Sequence, residues 1–95
     1  MMNDYIITEI EPKNGEMREI HKMMLNCECN IINLRLHHSA WFRYYPNNTT
    51  KEKIAYTSVV EKIEYIETGD IIIHTKNTVY LLKEIRHHAN QETKL

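Results

Sequence analysis

From Ser39 to Ile85 the chain is a succession of β-branched and aromatic runs interrupted only by brief polar turns. Runs of that kind, alternating with period two and joined by short loops, fold as antiparallel strands. In Ala40 to Tyr45 the alternation puts Trp41, Arg43 and Tyr45 on one face and Phe42 with Tyr44 on the other. Pro46-Asn47-Asn48 follows as a hairpin loop. Lys53 to Ile66 sets Ile54, Tyr56, Ser58 and Val60 against Ala55, Thr57 and Val59. A change of phase around Val60-Glu61 predicts a bulge or sharp bend, after which Ile63 and Tyr65 share a face. Glu67-Thr68-Gly69-Asp70 reads as a turn in which Gly69 takes positive φ. Asp70 to Lys76 and Val79 to Ile85 are the last two strands, joined through Lys76-Asn77-Thr78.

The N-terminal part differs. Tyr5 to Ile10 is β-branched and aromatic and Pro12 stops it, so a first strand is expected at about 4–11. Asn14-Gly15 punctuates the chain, with Asn14 as a possible N-cap. Met17, Ile20, Met24 and Leu25 then recur at helical spacing, His21 completes their stripe, and Glu16, Arg18, Glu19 and Lys22 fill the opposite face. That predicts a helix over about 16–25, ending near Asn26. Between 27 and 38 the asparagines at 26, 30 and 33 argue for turns and caps. A short helical or irregular segment leading into a strand near Leu34 to His37 is the expectation there. Residues 86–95 are polar and read as a frayed tail.

One strand, one helix and about five further strands make an α+β, mainly β fold. A bent antiparallel sheet or a small, partly open barrel with one N-terminal helix fits that order. At 95 residues the chain is expected to form a single domain over 1–95, which buries about 65% of its unfolded surface. A core that small leaves little room for an enclosed pocket, so a ligand site built between subunits is expected.

Charge narrows the function classes. Twelve Lys and Arg against thirteen Asp and Glu give a net charge of −1, which makes a broad phosphate-coating surface, and hence nucleic acid as a partner, unlikely. A local patch from Arg35, Arg43, Lys51 and Lys53 still allows a single-stranded nucleic-acid binder. No stretch is long and apolar enough for a membrane span, and the start Met1-Met2-Asn3-Asp4-Tyr5 lacks the regions of a signal peptide. A cytoplasmic protein without membrane contact is expected.

Candidate chemistry is sparse. Gly15 and Gly69 are the only glycines, too few for a phosphate-cradling loop. Ser39 and Ser58 sit in no nucleophile turn, and the carboxylates occupy solvent-type positions. The expectation is a non-enzymatic protein that needs no cofactor. Cys27 and Cys29, with His21 or His37-His38, could in principle hold zinc, yet one intervening residue is short of the usual ligand spacing. Two small buried thiols and no metal site are the expectation. The doublet His87-His88 reads as solvated.

Trp41-Phe42-Arg43-Tyr44-Tyr45 is the most informative stretch, with four aromatics around one arginine. Trp41 or Tyr45 can stack a base while Arg43 and Lys76 neutralise phosphate. Asn77 can hydrogen-bond a base edge, and His74, on the Ile72 face of its strand, is a candidate hydrogen-bonder. These six residues form the expected ligand site.

Trp41-Phe42, Tyr56-Thr57-Ser58-x-Val60 and Gly69-Asp70-Ile71-x-Ile73-x-Thr75-x-Asn77-Thr78-Val79-Tyr80 together resemble a pattern in small proteins of Firmicutes phages and mobile elements. Among characterised proteins the pattern is similar to that of the phage Thoeris anti-defence sponges, which bind cyclic nucleotide signals as oligomers without degrading them. The likeness covers about 45 residues and implies site roles only for Arg43 and Asn77. It does not extend to the sponges' long C-terminal helical segment, and the helix expected near 16–25 has no counterpart in it. The resemblance implies an anti-defence sponge, homo-oligomeric and acting in the host cytoplasm. The alternative is a protein–protein inhibitor or adaptor, such as an anti-CRISPR, that engages a host defence protein through an exposed strand edge and the aromatic cluster. Val79, Leu81 and Ile85 on one face of the last strand, with Tyr80 and Leu82 on the other, further suggest that a second copy covers one of them.

Overall fold

A computed structural model describes residues 3–46 and 50–85. Within them six antiparallel strands close into a barrel in chain order, and one short helix connects the first two. The strands are β1 (Tyr5–Pro12), β2 (Glu28–Asn33), β3 (Ser39–Tyr44), β4 (Lys53–Tyr65), β5 (Ile71–Thr75) and β6 (Thr78–Glu84). The helix α1 spans Glu19–Met24. The expected mainly β fold is therefore present, and closed. β6 pairs with β1 from Tyr5 opposite Glu84 to Pro12 opposite Thr78. The hairpin loop expected at Pro46-Asn47-Asn48 falls partly, and the polar tail with His87-His88 wholly, outside the described residues.

The interior is filled by alternate residues of every strand. Ile7 and Ile10, Cys29, Ala40, Phe42 and Tyr44, Ala55 and Val60, Ile71 and Ile73, and Tyr80 and Leu82 form its buried cluster. Among the described residues the ladder carries four register shifts, one of them in β2 between Ile31 and Asn33, and at two of them the run of buried positions skips an extra residue. In β1 the buried positions jump from Ile7 to Ile10, where the register against β6 shifts between Ile7 and Glu9. In β4 they jump from Thr57 to Val60, where two steps on β3 face three on β4. A second shift in β4 lies between Val60 and Lys62, where a phase change was expected. Bulges bend a strand and restore its inward face, which is what closing so small a barrel demands. The first break in β4 turns Val60 inward with Ala55 and Thr57, rather than outward with Tyr56.

Three expectations need correction. The helix is six residues long: Asn14 does not cap it, because Gly15 (φ +96°) turns the chain and Arg18 remains extended at the N-cap. The strand expected at Leu34 to His37 lies earlier, at β2, and residues 34–38 form the turn into β3, with His37 at φ +69°. The asparagines misled because they act as pins between segments rather than as breakers. Asn30 accepts from the Asp4 N–H at 2.8 Å and donates to Asn3 Oδ1 at 2.9 Å, and Asn33 donates to the Ser39 carbonyl at 3.2 Å. Finally, Tyr80 and Leu82 point into the barrel, so neither side chain waits for a second copy. Closure also leaves no free edge strand among the described residues for a partner to extend.

α1 buries His21 and Met24, one turn apart, against the interior cluster, and Met17, Ile20 and Leu25 pack beside them. Its C-terminal end is tied back to β1: the Asn26 N–H donates to the Ile7 carbonyl at 2.6 Å, with Asn26 in the left-handed region at φ +67°. The helical stripe read in the sequence is the face that docks. No helix among the described residues is long and apolar enough to cross a membrane.

Candidate ligand pocket under the helix

A pocket of about 380 Å³ opens between α1, the middle of β4 and the turn from β5 to β6. That size falls within the range of small-molecule sites. It lies within one chain, where the sequence suggested a site between subunits. Arg18, His21, Tyr56, Ser58, Asn77 and Tyr80 supply polar groups to its lining, beside Thr57 and Thr78. The bulge in β4 helps to make it, since the break after Thr57 turns Ser58 toward the two-residue turn at Lys76-Asn77. There the Asn77 N–H donates to Ser58 Oγ at 3.0 Å, and the Thr75 hydroxyl donates to the Thr78 carbonyl at 2.6 Å.

His21 closes the inner wall. The residue is 4% exposed, and its ring meets that of Tyr80 edge-on, with centroids 6.1 Å apart. Tyr80 in turn meets Phe42 edge-on at 5.6 Å, which joins the pocket wall to the core. The Arg18 N–H donates to His21 Nδ1 at 3.3 Å. Burial holds the imidazole pKa below its ordinary value, and the neighbouring Arg18 charge adds to that, so the ring is neutral near pH 7. The Tyr80 hydroxyl is pushed the other way by burial. No ion pair to an acidic side chain engages Arg18 among the described residues.

The structure does not bring the six expected site residues together. Asn77 lines the pocket, and Trp41 touches it indirectly through an edge-on contact with Tyr56. Trp41 and Arg43 do share the outer face of β3, as the alternation requires, with Phe42 and Tyr44 inside. Arg43 faces away from the pocket and pairs with Glu52 at 3.1 Å. Tyr45 lies past the end of β3, where its N–H donates to the Glu28 carbonyl at 3.2 Å. Lys76 is exposed, and its N–H donates to the Val59 carbonyl at 2.9 Å. His74 sits on the outside of β5, hydrogen-bonded to Glu64, whose carboxyl that bond holds below the usual range. Arg18, His21, Tyr56 and Ser58 line the pocket but were not among the expected ligand-site residues. One signal pointed to His21: it is the polar member of an apolar helical stripe.

The two cysteines are both buried and free. Cys27 Sγ donates to the Met23 carbonyl at 3.0 Å, and burial pushes the Cys29 thiol up to about 12. Among the described residues no three His, Cys, Asp or Glu side chains are grouped to hold a metal ion. Comparison of the chain with protein-family models, with curated proteins and with solved structures finds no match.

Proposed function

We propose that the protein is a non-enzymatic binding protein that sequesters a small nucleotide-like ligand in the pocket under α1. The observation that carries this reading is the make-up of the pocket. A guanidinium without an acidic partner, a buried imidazole, the Asn77 turn and the exposed Tyr56 ring border one cavity, and Trp41 packs edge-on against Tyr56 from outside it. Those groups suit a phosphate, a base edge and a base face respectively. No hydroxyl among the described residues of the pocket is hydrogen-bonded to the His21 imidazole, so retention rather than turnover is the action proposed. A cyclic nucleotide signal belongs to this ligand class, and its sequestration by a phage-encoded sponge in the host cytoplasm is the biological role proposed. Calorimetric titration with linear and cyclic nucleotides, followed by analysis of the recovered ligand, tests this. Saturable binding with the ligand returned intact supports the reading, and absence of binding across the panel rejects it.

A second reading has its own observation. Trp41, Ile54, Tyr56 and Val59 are all exposed on neighbouring positions of β3 and β4, and Ile32 is exposed on β2 at the register shift opposite Trp41 and Phe42. A contiguous apolar face of that kind favours protein contact, as in a protein–protein inhibitor or a homo-oligomer. Ile54→Lys with Val59→Lys lies outside the pocket, so it should abolish partner binding or self-association while nucleotide binding persists.

A further inference from the structure

The His21 side chain has a defined tautomer. Its Nδ1 accepts the Arg18 N–H, so in the neutral ring the proton resides on Nε2. That Nε2–H is a donor on a residue with only 4% exposure, and no acceptor among the described residues meets it. Buried donors are almost always satisfied, and one that is not calls for an explanation. His21 lines the pocket, and so does the Arg18 side chain, whose positive charge acts on both His21 and Tyr80. A single cavity wall thus offers a buried N–H donor and a guanidinium, with no carboxylate among the pocket residues to occupy them.

We infer that His21 Nε2–H and the Arg18 guanidinium form an oxyanion subsite, so that the ligand of this pocket carries a phosphate or carboxylate group seated between them. This rests on the binding reading above and makes it more specific: the anionic end of the ligand enters toward α1 and Tyr80, and its remainder lies toward Tyr56 and Asn77. An oxyanion satisfies both donors at once, whereas a neutral carbonyl satisfies His21 and leaves the Arg18 charge uncompensated. Charge-assisted bonds of this type are the stronger ones, which places most of the affinity at this end.

The test uses the full chain and two probes, inorganic phosphate and adenosine monophosphate, with adenosine as the uncharged control. Imidazole nitrogen and proton resonances of His21 are followed by NMR during each titration. Phosphate is expected to shift them saturably, adenosine monophosphate to shift them at lower concentration, and adenosine to leave them in place. Arg18→Gln, on an exposed residue, keeps the fold and is expected to weaken phosphate binding about tenfold or more. His21→Gln probes the other donor, and Arg18→Gln keeps the question answerable if that variant fails to fold. Failure of phosphate to shift the His21 resonances saturably overturns the subsite, as does an unchanged affinity in Arg18→Gln. Adenosine monophosphate that binds in the pocket without moving them rejects the subsite and leaves the binding reading standing. Saturable phosphate binding at His21 without any nucleotide preference upholds the subsite and rejects the nucleotide reading.

Discussion

The Trp41 indole meets the Tyr56 ring edge-on across β3 and β4, with centroids 5.1 Å apart and planes at 83°. Both side chains are exposed, 41% and 65% respectively, on opposed positions of the two strands. Tyr56 also borders the pocket, so the single tryptophan of the chain sits one contact from the proposed ligand. Its fluorescence should change when the pocket fills. Titration of wild-type protein with adenosine monophosphate is expected to alter Trp41 emission, and Tyr56→Ala is expected to remove that response while the fold persists.

Neighbours in sequence should behave oppositely. Phe42 is fully buried against Tyr80, so Phe42→Ala should cost about 3–5 kcal/mol in denaturant unfolding. Arg43, paired with Glu52 on the outer face, should lose less than about 1 kcal/mol on replacement by alanine. A harmless Phe42→Ala would show that the two faces of β3 are reversed.

Tyr80→Lys and Leu82→Lys place an ammonium in the barrel interior, where its burial without a partner costs several kcal/mol. Both variants should be unfolded by circular dichroism. Folded monomers from either would contradict the inward placement of β6.

These residues also show how far the sequence could be read. β-Branched and aromatic content ending at Pro12 located β1. Period-two alternation and turn residues located β3, β5 and β6, because each is a strand with one buried face and a short exit. The docking face of α1 was legible for the same reason. β2 was not, since Asn30 bonds to Asp4 and Asn3, partners that the pairing of β1 with β2 brings near, and Asn33 bonds to Ser39 across the turn into β3. The pocket was hidden more deeply. Its walls come from the residue before α1, from α1 itself, from a bulged stretch of β4 and from a turn some twenty residues further on, and no local pattern joins them.

The buried histidine imposes a pH dependence. Its folded pKa lies below the unfolded value near 6.5, so the unfolded chain binds the proton first as pH falls. The contribution is fully present above about pH 6.5 and is lost as pH falls from there through the folded pKa. Melting temperature should drop over that window in the wild type, with a shallower drop in His21→Gln. Equal slopes would show that His21 stays accessible to protons in the folded state.

The thiols are expected to be inert in the native protein. Burial of Cys29, with its pKa pushed up to about 12, leaves almost no thiolate at pH 8. Labelling by a maleimide or an aromatic disulfide should proceed at the rate of unfolding and accelerate with denaturant. Prompt labelling of Cys29 in native buffer would contradict its burial in the barrel.

The central claim is that the pocket under α1 retains a nucleotide-like ligand without converting it. Isothermal calorimetry of the wild type and Arg18→Gln against a panel of linear and cyclic nucleotides, with chromatography of the recovered ligand, tests it most directly. The account predicts saturable binding of at least one nucleotide, about tenfold or more weaker in Arg18→Gln, and full recovery of the unaltered compound. Heats indistinguishable from dilution across the panel, or a recovered ligand that has been cleaved, would contradict it.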